Sequence, residues 1–151
     1  MSNISTILDT IVTTMTALYP DKYRLVNPYD LENNANYSKL DGWGLAVRPG
    51  SLGDYDAYCS TAMNQSIGIV LSKKVFRLEN GIADFDTKVK ELLEEEKTVR
   101  TTFLGADQLG IEANIGKIDY VGHDGVNFIT AGKTNFIYLE VSFRIDIIES
   151  L

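Results

Sequence analysis

The chain has 151 residues, a net charge of −7 and a single cysteine, with a sequence pI near 4.6. That balance excludes a sequence-reading DNA binder, which needs a basic footprint, and the lone Cys59 excludes an internal disulfide. The length suits one domain with a real core, no apolar run approaches the roughly 20 residues that span a bilayer, and the N-terminus shows no basic and apolar regions of a secretion signal.

Ile4, Ile7, Leu8, Ile11, Val12, Met15 and Leu18 recur at helical spacing and predict a helix, with Ser2 or Asn3 as N-cap and Tyr19-Pro20 as its stop. Thr6, Thr10, Thr13, Thr14 and Thr16 fill most of its other side. Threonine is a poor helix former, so this helix depends on docking its apolar stripe against a sheet. Residues 23–27 read as a short strand stopped by Pro28, and 29–41 as a polar, Asn-rich loop. A second strand follows over 42–48, where Trp43, Leu45 and Val47 alternate with Gly44, Ala46 and Arg48; Pro49-Gly50 reads as a turn. Residues 51–65, with Tyr55, Tyr58, Cys59 and Met63, read as a long loop. Such a loop either serves an interface, which exposed tyrosines suit, or folds its own aromatics inward.

Over 66–78, Ile67, Ile69 and Leu71 alternate with Gly68, Val70 and Ser72. Lys73-Lys74 breaks the pattern, and Val75, Phe76 and Leu78 resume it, which predicts a long strand with a bulge, or one that leaves the sheet at its far end. A second helix is expected from Ile82 or Asp84 to Phe103 or Leu104, stopped by Gly105. Phe85, Val89, Leu92, Leu93, Val99 and Phe103 form its inner stripe; Glu91, Glu94, Glu95 and Glu96 cover the outside with Lys88, Lys90 and Lys97. Strands are predicted over 113–121 and 126–130, with turns at 122–125 and 131–134.

The last stretch, 136–149, is the most organised. Ile137, Leu139, Val141, Phe143, Ile145 and Ile147 share a dry face, and Tyr138, Glu140, Ser142, Arg144 and Asp146 a wet one. At roughly 3.3 Å per residue it spans on the order of 40 Å, about twice a common strand. Its length exceeds what one small sheet needs, so one end is expected to extend into a neighbouring subunit or the wall of a ring. The whole reads as an α+β domain: a small, mostly antiparallel sheet with an N-terminal helix and a long central helix on one face, closing on the long final strand.

No catalytic set emerges. Gly132-Lys133-Thr134 lacks the glycine a phosphate loop needs, Asn127 standing in its place, and a strand follows instead of a helix. His123 is the only histidine, so it forms no zinc site with the solitary Cys59. Asp54 and Asp56 could be paired carboxylates, but acids are common in loops. No catalytic residue, cofactor or metal is expected.

In size, element order and acidic balance the chain resembles the tail-terminator (tail-completion) proteins of long-tailed phages, the lambda-type terminator among them. The N-terminal helix from Ile4 to Leu18, the helix from Asp84 to Phe103 and the closing strand carry the resemblance. It implies a non-enzymatic virion protein that forms a ring, a homo-hexamer, on the end of the tail tube. The ring stops tube polymerisation, joins the head connector and lets DNA pass through its hole, where an acidic wall would not grip phosphates. Expected partners are other copies, the tube protein and the connector, with no membrane. Trp43, Tyr55, Tyr58, Tyr138 and Arg144 are the candidate interface residues. The alternatives are a head-completion or stopper protein of the phage neck, and a small-molecule-binding α+β domain.

Overall fold

In the computed structural model, residues 4–30, 41–52, 60–75, 82–105, 109, 116–131 and 134–150 are described. Among them run α1 (Ile4–Leu18), β1 (Tyr23–Arg24), β2 (Gly42–Leu52), β3 (Ser60–Val75), α2 (Ile82–Phe103), β4 (Gly116–His123), β5 (Asn127–Ala131) and β6 (Thr134–Ser150). The strands form one sheet in the order β1-β2-β3-β6-β4, with β5 also paired to β6. Only the β1–β2 contact is parallel; the others are antiparallel. The expected α+β layout is the one observed.

The period-two patterns set the two faces. Ile67, Ile69 and Leu71 of β3 join Leu139, Val141, Phe143, Ile145 and Ile147 of β6 in one apolar cluster. Ile7, Ile11 and Met15 of α1 and Leu92, Val99 and Phe103 of α2 complete it, so both helices lie on that face. Phe143 packs against Phe103, ring centroids 4.8 Å apart. The threonines of α1 are accommodated by donating back along the helix: Thr10 to the Thr6 carbonyl, Thr13 to Asp9, Thr14 to Thr10 and Thr16 to Val12. Each hydroxyl thereby finds an acceptor without leaving the helix.

Several expectations are corrected. Pro49-Gly50 is not a turn: β2 continues to Leu52, and its register against β3 shifts between Val47 and Gly50. Proline has no N–H to give a ladder, and a bulge at the sheet edge accepts it. The buried side-chain amide of Gln65 donates to the Arg48 carbonyl there. Lys73-Lys74 does not interrupt β3, whose register with β6 runs without a shift from Ser60 to Val75. Of the stretch 51–65, residues 51–52 belong to β2 and 60–65 to β3, and 53–59 lie outside the described residues. The first strand is reduced to Tyr23–Arg24, although the Leu25 N–H still donates to the Trp43 carbonyl at 2.8 Å.

The final strand also differs from expectation. It is central, with β3 along one side and β5 and β4 along the other. Among the described residues its length is used inside its own sheet, where β3 pairs with it from Asn135 to Ser150.

Candidate functional site

The face of the sheet opposite the helices is the surface available for recognition. Part of it is closed by a second apolar cluster of Leu25, Val70 and Phe136, against which Tyr23, Ile129 and Tyr138 pack. The rest is polar, and its charges are engaged with one another.

At its centre Glu140 of β6 reaches over Gly68 of β3 to Arg48 of β2. Arg48 Nε donates to Glu140 Oε2 at 2.9 Å, and Nη2 makes a second contact with Oε1. This bidentate geometry is the strong form of the pair. The hydrogen bond to Glu140 raises the Arg48 pKa, against the opposing effect of burial. A Cβ on Gly68 would stand 2.4 Å from the Glu140 carboxyl carbon, so only glycine leaves room for the crossing. The Arg48 guanidinium also lies 5.7 Å from the centre of the Tyr29 ring, while Tyr29 Oη accepts the Val47 N–H at 2.8 Å. Asp124 Oδ1 accepts the Glu140 N–H at 3.1 Å. Tyr29, Arg48, Asp124, Tyr138 and Glu140 line a shallow hollow of about 320 Å³.

Further along the same face, Arg144 Nη2 donates to Asp119 Oδ2 at 3.0 Å, and its Nε lies 3.2 Å from Asp146 Oδ1. Lys117 Nζ stands 3.5 Å from Asp119. These pairs are half in solvent and modest in energy.

A tighter network joins α2 to the sheet on the helix side. Lys73 Nζ lies 2.9 Å from Asp41 Oδ2 and 2.9 Å from Glu95 Oε1. Lys22 Nζ lies 2.6 Å from the same Glu95 oxygen. Burial works against the Lys73 charge, but the hydrogen bonds to Asp41 and Glu95 outweigh it and raise the pKa. Burial likewise opposes ionisation of Asp41, and its bond to Lys73 and the nearby lysine charges outweigh that and lower its pKa. Tyr19 is pushed up to about 12 by burial and by the Glu95 charge. A second hollow, of about 490 Å³, opens beside Tyr19, Lys22, Asp41 and Lys88. Glu96, only 4% exposed, accepts the Tyr120 hydroxyl at 2.7 Å. Glu95 and Glu96 therefore point inward, not out with Glu91 and Glu94 as expected.

The predicted interface residues do not gather into one patch. Trp43 is 2% exposed and belongs to the main core, so it is withdrawn from any surface. Tyr55 and Tyr58 lie outside the described residues. Tyr138 is half-buried at the hollow, and Arg144 sits on the same strand face six positions later, about 20 Å away. Arg48, Tyr29 and Asp124 were not among the expected site residues. Arg48 stood on the polar side of β2 by alternation, but its partner Glu140 lies on a strand that is not its neighbour, and only the sheet order reveals the pairing.

His123 Nδ1 accepts the Gly125 N–H at 3.0 Å, closing the turn after β4. Among the described residues no group of His, Cys, Asp and Glu is arranged to hold a metal, and no helix is long and apolar enough to cross a membrane. No protein-family model matches the chain, and no curated protein matches it significantly.

Proposed function

We propose that the chain is a structural ring subunit of the tail-terminator type, which caps the tail tube of a long-tailed phage and joins it to the head connector. The observation that carries this reading is the layout: helix, strands, long helix, strands, with both helices on one face of the sheet. It matches the element order through which the resemblance to terminators is drawn. The open face supports the same reading. Its charged side chains are held in mutual pairs, which makes a pre-ordered contact surface. The net charge of −7 suits a channel through which DNA slides without being gripped. The mechanism is steric: one side of the ring matches a tube ring, and the other accepts no further tube subunit. The protein acts in the virion neck, and in the host during assembly.

Electron microscopy of purified tail tubes mixed with the protein tests the reading. Density at one end of the tube, together with arrest of tube growth, is the expected result. Binding to the capsid portal with bare tube ends would instead identify a head-completion protein.

A further inference from the structure

Among the described residues, six of the eight exposed large apolar side chains lie at the two opposite edges of the sheet. Val26, Tyr29 and Val47 mark the β1–β2 edge; Val121, Val126 and Phe128 mark the β4–β5 edge. Neither edge is built for simple strand pairing. On β2 the Tyr29 hydroxyl takes the Val47 N–H, and a bulge follows at once. On β4 the register shifts between Tyr120 and Gly122, which makes Val121 the extra residue of a bulge. Bulges of this kind keep an edge from extending a sheet. The apolar side chains at both edges are nevertheless exposed, although Phe128 leans on Phe85 and Tyr29 lies beside Arg48.

The two edges are also level with one another. Val47 pairs with Ile67, Ile67 with Phe143 and Phe143 with Tyr120, so Val47 and Val121 sit on nearly the same rung. Arg24 pairs with Trp43, Trp43 with Leu71 and Leu71 with Leu139. Leu139 is level with the turn that carries Asp124, between His123 paired to Val141 and Asn127 paired to Tyr138. Arg24 and Asp124 are both exposed; Arg24 stacks over Trp43 at 5.4 Å, and neither makes an ion pair among the described residues. One edge therefore offers a cation beside an apolar patch, and the other an anion beside an apolar patch, at matching heights.

We infer that these edges bind each other, so that copies of the chain associate head to tail through side chains, with Arg24 of one copy facing Asp124 of the next. Because the two surfaces differ, the contact is heterologous, and it closes only as a ring. Closure into a ring rests on the terminator reading; the contact itself rests on the edges.

Sedimentation velocity at micromolar concentration tests the contact with Val26→Asp and Val121→Asp. These side chains are 72% and 65% exposed, so the fold should survive, as circular dichroism will show. The wild type is expected as a closed oligomer and each variant as a monomer. An equimolar mixture of the two variants should give a heterodimer and nothing larger, since each retains one intact and opposite edge. Should Val26→Asp misfold, Arg24→Glu takes its place; should Val121→Asp misfold, Val126→Asp takes its place, Val126 being exposed as well. A monomeric wild type, variants that assemble normally, or a mixture that stays monomeric would overturn the contact. If the wild type forms a ring that both variants keep, the edge contact falls and the terminator reading stands. If the edge contact holds but the assembly ignores tube ends, the terminator reading falls alone.

Discussion

Lys73 on β3 and Glu95 on α2 meet between helix and sheet with Nζ and Oε1 2.9 Å apart. Lys73 follows Ile67, Ile69 and Leu71 on the dry side of the strand, so its ammonium is carried into the core face by the pleat. Asp41 and Lys22 complete the group. Removing one member of a buried pair leaves the rest uncompensated. Lys73→Ala is therefore expected to cost roughly 3 kcal/mol in urea unfolding. Lys73→Met together with Glu95→Leu should recover much of that loss.

The same network sets the pH dependence of stability. Asp41 has a lowered pKa in the fold, so its contribution is intact above the ordinary value of about 4 and is lost as pH falls through the depressed value. Tyr19 is raised to about 12, and Lys73 is raised as well. Their contributions are intact below about pH 10 and are lost as pH rises through the folded values. Denaturant unfolding across pH should show a loss at each end. Tyr19→Phe should make the alkaline limb shallower, and Asp41→Asn the acid limb.

Gly68 makes room for the Glu140 carboxyl that reaches Arg48. Gly68→Ala should force Glu140 aside and destabilise the fold by about 1–3 kcal/mol. A double-mutant cycle with Glu140→Ala should show that the two changes are coupled rather than additive. Additive effects would mean that the alanine is absorbed by backbone movement.

Adjacent residues on β6 should respond in opposite ways. Phe143 is buried against Phe103 and Tyr120, so Phe143→Ala is expected to cost about 3–5 kcal/mol, and Phe143→Asp should abolish folding. The Arg144 side chain is 48% exposed, and its ion pairs are of the surface kind; Arg144→Ala should change stability by no more than about 1 kcal/mol. Thermal unfolding of the two variants checks the contrast.

Much of the fold was legible because burial alternates with the pleat. Ile137 to Ile147 announced the core face of β6, and the spacing of Ile4 to Leu18 announced α1. The errors at Lys73, Glu95 and Glu96 have a common cause, which is that charge was taken as a sign of solvent. Lys73 keeps the strand rhythm, and Glu96 falls on the helical stripe of Leu92, Val99 and Phe103; spacing alone would have put both inside. Their burial is tolerated because each meets a partner, Glu95 for Lys73 and the Tyr120 hydroxyl for Glu96. The neighbours of β6 were not legible, because strand order depends on contacts between distant segments. For the same reason the Arg48–Glu140 crossing and the two apolar edges emerged only with the sheet.

The central position of β6 bears on how fast the protein reaches its native state. Hairpins β2–β3 and β5–β6 can each close locally. They become one sheet only through the β3–β6 ladder, whose rungs run from Val75 with Asn135 to Ser60 with Ser150. Those partners are 60 to 90 residues apart in the chain, by subtraction of their numbers. The loop entropy of that closure must be met before the central rungs return any stability. Refolding should therefore be slow for a domain of this size, with an interval in which the unpaired flank of β3 is open to capture by another molecule.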